Sequence, residues 1–142
     1  MKMRIIKFRG KSNHPESIYY GKFVYGSLIT RGNIDPLINT DDNHCPIDVI
    51  VDPNTVGQFT CIHDKNGNEI YEGDILKVYY NGKSQVFGVV VFKYCRFYID
   101  DDYNHFASDP KIPMNEMFTH YQFEVIGNIH DNKVCNEMFE SL

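Results

Sequence analysis

The sequence predicts a mainly β protein: a β-rich α+β fold of antiparallel sheets with one or two short helices. Tyr and Phe are abundant, at 10 residues each, and with Val and Ile they favour pleated, half-buried surfaces. Ala, the best helix former, occurs only at Ala107. Two Asn-Gly pairs, Asn66-Gly67 and Asn81-Gly82, are typical of β-hairpin turns.

Apolar runs rich in β-branched and aromatic residues place the strands of the N-terminal half. The predicted strands span residues 3–9, 18–29, 47–51 and 58–62. We expect the first two to pair as a hairpin. Residues 31–46 contain Gly32, Pro36 and Pro46, and this composition predicts a long surface loop that is accessible to a partner.

A single helical turn is predicted directly after the third strand. Asp52 is a suitable N-cap, and Pro53 fits the first helical position because its missing N–H has no partner there. Gly57 is expected to end the turn. Further along the chain, Asp64 to Asn68 predicts a hairpin turn, and Glu72-Gly73-Asp74 predicts a tight turn that leads into a core strand.

The C-terminal half repeats the pattern of short strands and turns. Its predicted strands span residues 75–80, 85–92, 96–99 and 121–126. A second long loop is expected at residues 100–113, followed by a helical turn at residues 114–118. The spacing predicts that the region 70–130 closes as an SH3-like barrel of about five strands.

These elements predict two lobes and a tail. Residues 1–66 form an N-terminal β lobe with a long loop and a one-turn helix, and residues 67–132 form the small-barrel lobe. Residues 133–142 form a short helical or frayed tail. The join between the lobes is expected near residues 62–70, where the Asn66-Gly67 turn lies.

Charge, hydropathy and cysteine spacing limit the partners and the compartment. The formal net charge of −5 disfavours long-range attraction of the whole molecule to nucleic acid or anionic membranes. No run of about 18 apolar residues is present, and residues 1–11 lack a signal-peptide core, so we expect a cytoplasmic protein. The four cysteines are widely spaced without a CxxC pair, which favours free thiols over metal ligands or disulfides.

Three separated motifs stand out along the chain. They are Ile6-Lys7-Phe8-Arg9-Gly10-Lys11, then Val51 to Thr60 with Asp64 to Ile75, and finally Phe123 to His130. In this order they resemble the opening, the central signature and the closing motif of the YopX protein family. The resemblance implies a phage or prophage accessory protein in a bacterial host cell, mostly β, with no catalytic residues and no cofactor to carry over.

The motif residues are predicted to shape the backbone through caps and turns. These structural positions are Asp52, Pro53, Gly57, Asn66, Gly67, Gly73, Asp74 and Gly127. One departure from the family pattern lies at Cys61-Ile62-His63, where the family commonly has Gly-Leu. Cys61 therefore occupies a turn-edge position where Gly is usual, and the local backbone is expected to differ.

Calcium binding is a weaker interpretation of the central motif. Asp64, Asn66 and Asn68 match positions 1, 3 and 5 of an EF-hand loop. However, Glu69 stands where that loop needs Gly, and Ile75 stands where it needs a bidentate Glu. A hairpin turn therefore explains the spacing better than a calcium site.

Two further chemistries remain as alternatives. A zinc site that combines His44-Cys45 with Cys61 and His63 lacks the paired ligand spacing of structural zinc sites. A hydrolase would need several loop carboxylates in one pocket, although acidic clusters in loops are usually solvated. The carboxylates concerned are Asp41, Asp42, Asp100, Asp101 and Asp102.

The sequence favours a non-enzymatic module that binds a host or phage protein, because its loops and tyrosines offer contact material. Self-association through exposed strand edges is a further expectation. The alternative is a small β-barrel that binds nucleic acid, with phosphate contacts from Arg4, Lys7, Arg9 and Lys11. These charges equally fit a solvated strand edge, and no membrane partner is expected.

Overall fold

The computed structural model describes residues 2–42, 44–100, 113–117 and 120–131. In chain order the elements are β1 (Phe8–Lys11), β2 (Phe23–Arg31), β3 (Ile34–Asp42), β4 (Cys45–Ile50), the 3-10 turn Pro53–Thr55, β5 (Gly57–His63), β6 (Glu69–Tyr71), β7 (Asp74–Tyr80), β8 (Lys83–Lys93), β9 (Arg96–Asp100), α1 (Met114–Met117) and β10 (Tyr121–Asn128). The prediction of a mainly β chain with antiparallel pairing and a short helix is confirmed.

The chain divides into two compact units between Phe59 and Thr60. The sequence-based boundary after residue 66 stays a prediction. The predicted tail at 133–142 lies outside the described residues. So does the predicted loop at 100–113, except for Asp100, which ends β9, and Pro113, which precedes α1.

The first unit is an antiparallel sheet with the strand order β4-β3-β2-β1-β5. The predicted hairpin of the first two strands is confirmed, although β1 begins at Phe8 and pairs with β2 from Gly26 to Phe23. The core of this unit contains the buried side chains of Val24, Ile38, Val49 and Val51. Alternation along each strand places these apolar residues on one face of the sheet.

The predicted loop at residues 31–46 is wrong, because most of this stretch forms the β3–β4 hairpin. Its prolines suggested a loop, but each occupies a position where a sheet tolerates Pro. Pro36 lies where the β2–β3 register shifts, between Ile29 and Arg31. Pro46 lies on β4, the edge strand of this sheet. Bulges and edges do not require the ladder N–H that Pro lacks.

Gly26 marks a close approach of two backbones within this sheet. A Cβ atom at residue 26 would overlap the carbonyl oxygen of Asn39 on the neighbouring strand. The close approach therefore explains why residue 26 is a glycine. Gly26 does not mark the register shift of β2, which lies further along the strand, after Ile29.

The predicted helical turn is confirmed as a single 3-10 turn. The Asp52 carboxylate accepts a hydrogen bond of 2.9 Å from the Asn54 N–H, and Pro53 occupies the first position. The prediction that Gly57 ends the turn is wrong. Val56 is the C-cap in an extended conformation, and Gly57 is already the first residue of β5.

The second unit contains an antiparallel sheet with the strand order β10-β7-β8-β9. Its buried core consists of Ile70, Leu76, Val78, Val90, Ile99, Met114 and Phe123. The predicted SH3-like barrel is wrong, because the described strands of this sheet leave β9 and β10 as open edges. The strand preceding β7 does not extend the sheet, since β6 pairs with β5 instead.

Gly73 carries the chain from β6 into β7. Its φ of 90° is unfavourable for residues with a side chain, and its N–H donates a 2.9 Å hydrogen bond to the Val90 carbonyl oxygen. The predicted end of the last strand at Gly127 is corrected as well. Gly127 lies within β10, after a register shift that begins at Val125.

Candidate functional site

The central motif is held together by the carboxylate of Asp64. It accepts hydrogen bonds from the N–H of Asn66 (2.9 Å), the N–H of Asn68 (2.8 Å) and the Asn68 amide (3.2 Å). It also accepts one of 3.0 Å from the N–H of Val125 on β10. The residues that suggested a calcium loop thus satisfy one another and tie the hairpin turn to β10.

Asp64 is buried, at 6% exposure, and burial alone would raise the pKa of its carboxyl. The hydrogen bonds from Val125, Asn68 and Asn66 outweigh this effect and lower the pKa below its ordinary value. Asp74 has a similar structural place, because its carboxylate accepts a 2.7 Å hydrogen bond from the Tyr71 N–H. Both carboxylates therefore contact the backbone of the turns that they were predicted to shape.

The other metal hypothesis concerned His44, Cys45, Cys61 and His63. Within the residues that the structure describes, no group of three His, Cys, Asp or Glu side chains is placed to hold a metal ion. Of the loop carboxylates, Asp41 lies on β3 opposite Pro46, and Asp100 ends β9 at 3.9 Å from the Lys93 amino group. Asp101 and Asp102 lie outside the described residues.

The N-terminal cations are brought together in part. Arg9 and Lys11 lie two residues apart on β1 and therefore share one side of it, whereas Lys7 and the exposed Arg4 precede the strand. Arg9 is only 5% exposed, and its guanidinium lies 4.3 Å from the centre of the Phe23 ring. The Lys11 amino group lies 5.1 Å from the same ring. Arg9 and Lys11 therefore both lie close to the Phe23 ring.

Cys61 adopts the backbone that the family pattern suggests for Gly. Its φ is 66°, in the left-handed region, where a side chain is unfavourable. The expectation that the local backbone differs from that of the family stays a prediction. The thiol is exposed.

The turn between β8 and β9 is an unusual surface feature of the second unit. We call residues Phe92–Phe97 the aromatic tip. The last pair of the two strands is Lys93 with Arg96, so that the turn consists of Tyr94 and Cys95 alone. Their φ angles are 51° and 61°, the pattern of a type I′ turn, which normally takes Asn-Gly.

The adjacent β7–β8 hairpin has a turn with the same φ pattern, formed by the residues that usually occupy it. Its turn is Asn81-Gly82, with φ angles of 50° and 77°. The two hairpins thus use the same kind of turn, but only one of them uses residues that favour it. Tyr is bulky, and a bulky residue with positive φ is a rare outlier. The positive φ of Tyr94 therefore lowers the local stability of the aromatic tip.

The exposure of the aromatic tip is equally marked. Tyr94 is 87% exposed and Phe92 is 48% exposed. The ring of Phe92 packs against that of Phe97 across the strand pair, with centroids 5.1 Å apart and planes tilted by 57°. At the base, the guanidinium of Arg96 lies 3.3 Å from the Glu116 carboxylate of α1. The tip therefore presents supported aromatic rings beside charged groups that are partly neutralised.

The sequence predicted strands that end at residue 92 and resume at residue 96, and it did not single out Tyr94. In the structure the connection is only Tyr94 and Cys95, and both have positive φ angles. Two-residue connections favour type I′ or II′ turns, for which Asn and Gly are the usual residues. Tyr-Cys is therefore an unusual pair for this turn.

The fold and the aromatic tip define a small, mainly β protein of two compact units, one of which exposes a strained aromatic hairpin turn. The chain belongs to the YopX protein family, because the family model described as YopX protein matches residues 7–134. The comparison with curated proteins gave no match. In the described part of the chain, no helix combines the length and the apolarity needed to cross a membrane.

Proposed function

We propose that this member of the YopX family is a non-catalytic protein-interaction module whose aromatic tip inserts into a pocket of its partner. The partner is a host or phage protein in the cytoplasm of a bacterial cell. The observation that carries the proposal is the left-handed Tyr94-Cys95 turn, which holds an 87% exposed tyrosine at its apex.

Energetics support this interpretation of the turn. Each left-handed residue with a side chain costs about 1–2 kcal/mol. Strain of this kind persists mainly where function requires it. Tyrosine and arginine are enriched among the residues that dominate binding energy at protein interfaces. Tyr94 at the apex is therefore a suitable anchor, with Phe92 and Arg96 beside it on opposite faces of the hairpin.

The test is a quantitative capture from bacterial cells with the full chain as bait. The tip variant Tyr94→Asn/Cys95→Gly retains the hairpin, because Asn-Gly favours the same turn. Tyr20→Asn is the matched control, since Tyr20 is also a strongly exposed tyrosine, at 56%, but lies in the first unit. We expect the partner to be retained by the wild type and the control, and to fall about thirtyfold with the tip variant.

Equal recovery of the same partner by the tip variant and the control would contradict the proposal. Self-association is measured in parallel by light scattering. A dimer that dissociates only in the tip variant would identify a second copy of the chain as the partner of the aromatic tip.

The second candidate function, nucleic-acid binding, rests on Lys11 of β1 and on Lys7, which directly precedes this strand. Its test is the binding of a fluorescent single-stranded oligonucleotide at increasing salt concentrations. Phosphate contacts would make the affinity fall steeply with salt, and Lys7→Glu/Lys11→Glu would weaken binding further. No binding at low salt would remove this candidate.

A further inference from the structure

A short segment of the first unit combines exposed aliphatic side chains with positive charge. We call residues 2–7 the basic segment, because Lys and Arg make up half of it. The residues between these cations are Met3, Ile5 and Ile6, and each of them is more than half exposed. Exposed apolar residues that are clustered in this way indicate an interaction surface, whereas isolated ones are common on any protein.

One end of the basic segment is fixed to the sheet of the first unit. The Lys7 carbonyl oxygen accepts a 2.8 Å hydrogen bond from the Phe59 N–H, and the Lys7 amino group lies 5.6 Å from the centre of the Phe59 ring. Residues 2–6 precede β1 and are exposed one after another. The sheet therefore anchors the segment at Lys7, and its aliphatic and cationic side chains lie together at the surface.

Positive charge is concentrated in this part of the sequence. Residues 1–15 contain five Lys or Arg and no Asp or Glu, whereas residues 16–142 contain nine Lys or Arg and nineteen Asp or Glu. The expectation of no membrane partner depended on the net charge of the whole molecule, which is −5. At physiological ionic strength, screening limits the reach of an exposed charge to about 8 Å. The local charge of the basic segment therefore decides which surfaces it attracts.

Aliphatic side chains beside cations fit the surface of a membrane that contains anionic lipids. Lys and Arg are attracted to such a surface, while aliphatic side chains enter the boundary between the headgroups and the acyl chains. The long stems of Lys and Arg keep their charged ends at the lipid phosphates while the neighbouring side chains insert. Single-stranded nucleic acid gains from aromatic faces on which its bases stack, and Met3, Ile5 and Ile6 offer none.

We infer that the basic segment binds reversibly to the surface of membranes that contain anionic lipids. Its aliphatic side chains insert at the headgroup boundary, and its cations contact the lipid phosphates. A segment of this length supplies only marginal affinity, so the protein exchanges between the membrane surface and solution. The inference goes beyond the proposed function, because the basic segment belongs to the first unit and the aromatic tip to the second.

The test is cosedimentation of the full chain, at low salt, with vesicles of phosphatidylcholine and phosphatidylglycerol in equal parts. Vesicles of phosphatidylcholine alone measure binding in the absence of a net surface charge. We expect binding to the anionic vesicles only, and we expect added salt to weaken it, because salt screens the attraction. A lack of binding to the anionic vesicles, or equal binding to both compositions, would overturn the inference.

A charge variant tests the contact with the lipid phosphates. Lys2→Gln/Arg4→Gln removes two exposed cations of the basic segment and should weaken binding to the anionic vesicles about thirtyfold. The matched control, Arg31→Gln/Lys83→Gln, removes two exposed cations elsewhere and should leave binding nearly unchanged. Equal weakening by both variants would mean that the basic segment has no special part in binding, and the inference would fail.

An aliphatic variant distinguishes a membrane surface from nucleic acid as the ligand. Ile5→Ser should weaken vesicle binding about fivefold. Ile34→Ser is the matched control, because Ile5 and Ile34 are 62% and 60% exposed. Met3→Ser serves as a second aliphatic variant if Ile5→Ser changes the circular dichroism spectrum. Full binding by the aliphatic variant, together with loss in the charge variant, is the pattern of phosphate contacts alone and would overturn the assignment to lipid.

Discussion

Replacing Tyr94-Cys95 by Asn-Gly should stabilise the second unit. Both native residues have positive φ angles, and relief of this strain is worth about 1–2 kcal/mol per residue. The glycine introduced at position 95 would reduce this stabilisation by about 0.5–1 kcal/mol, because Gly loses more conformational entropy on folding than other residues do. Tyr94 is 87% exposed, so its removal loses little buried surface. The net expectation is a stabilisation of about 1–3 kcal/mol.

Urea unfolding followed by circular dichroism measures this gain. With a slope of about 2 kcal/mol per molar urea, the midpoint of the second unit should rise by about 0.5–1.5 M. The neighbouring hairpin supplies the reciprocal control. Asn81→Tyr/Gly82→Cys introduces the strained pair into a turn with the same φ pattern and should lower the midpoint by a similar amount. An unchanged or lower midpoint for the Asn-Gly variant would refute the reasoning.

Further changes at three residues test their roles in shaping the backbone. Cys61→Gly should stabilise the chain by about 1 kcal/mol in thermal denaturation, because φ at this position is 66°, while Cys61→Ala should not. Asp64→Ala should cost about 3 kcal/mol in urea unfolding, since it leaves N–H groups such as that of Val125 without their acceptor. Folding lowers the pKa of Asp64. The ionised carboxylate therefore stabilises the folded state above the unfolded pKa, and this stabilisation is lost as the pH falls through the folded pKa. Asp64→Asn should for this reason lose less stability than the wild type on acidification from about pH 5. Gly26→Ala should cost about 3 kcal/mol and lower the melting temperature of the first unit, because a Cβ would overlap the Asn39 carbonyl.

Local rules were enough to predict the turns of the central motif. The cap at Asp52, the Asn66-Gly67 turn and the sharp turn at Gly73 depend on side chains within a few residues. Such contacts can be inferred from the identity and spacing of neighbouring residues. The contact of Asp64 with Val125 could not, because it joins residues 61 positions apart.

The β3–β4 hairpin and the open sheet show where local rules fail. Pro36 and Pro46 suggest a loop unless the register shift and the edge position are known, and both are set by pairing across the sheet. The barrel was predicted from strand spacing alone, which counts strands but does not determine the partner of each. The pairing of β6 with β5 rather than β7 decides against closure.

The candidate site was predicted least well. Residues of the nucleic-acid hypothesis were chosen by charge, and the structure places Arg9 against Phe23 instead of in solvent. Tyr94 was not selected from the sequence, because a tyrosine in a turn does not belong to a functional motif. Its significance depends on a backbone angle and on exposure, which follow from the exact length of the connection between β8 and β9.

The most direct test of the proposed function is photocrosslinking in bacterial cells with a benzophenone amino acid at position 94. The same amino acid at position 20 serves as the control, because Tyr20 is also strongly exposed. Insertion of the hairpin turn into a partner predicts one discrete crosslinked protein from position 94 and none from position 20. No adduct from position 94, or the same adducts from both positions, would contradict it.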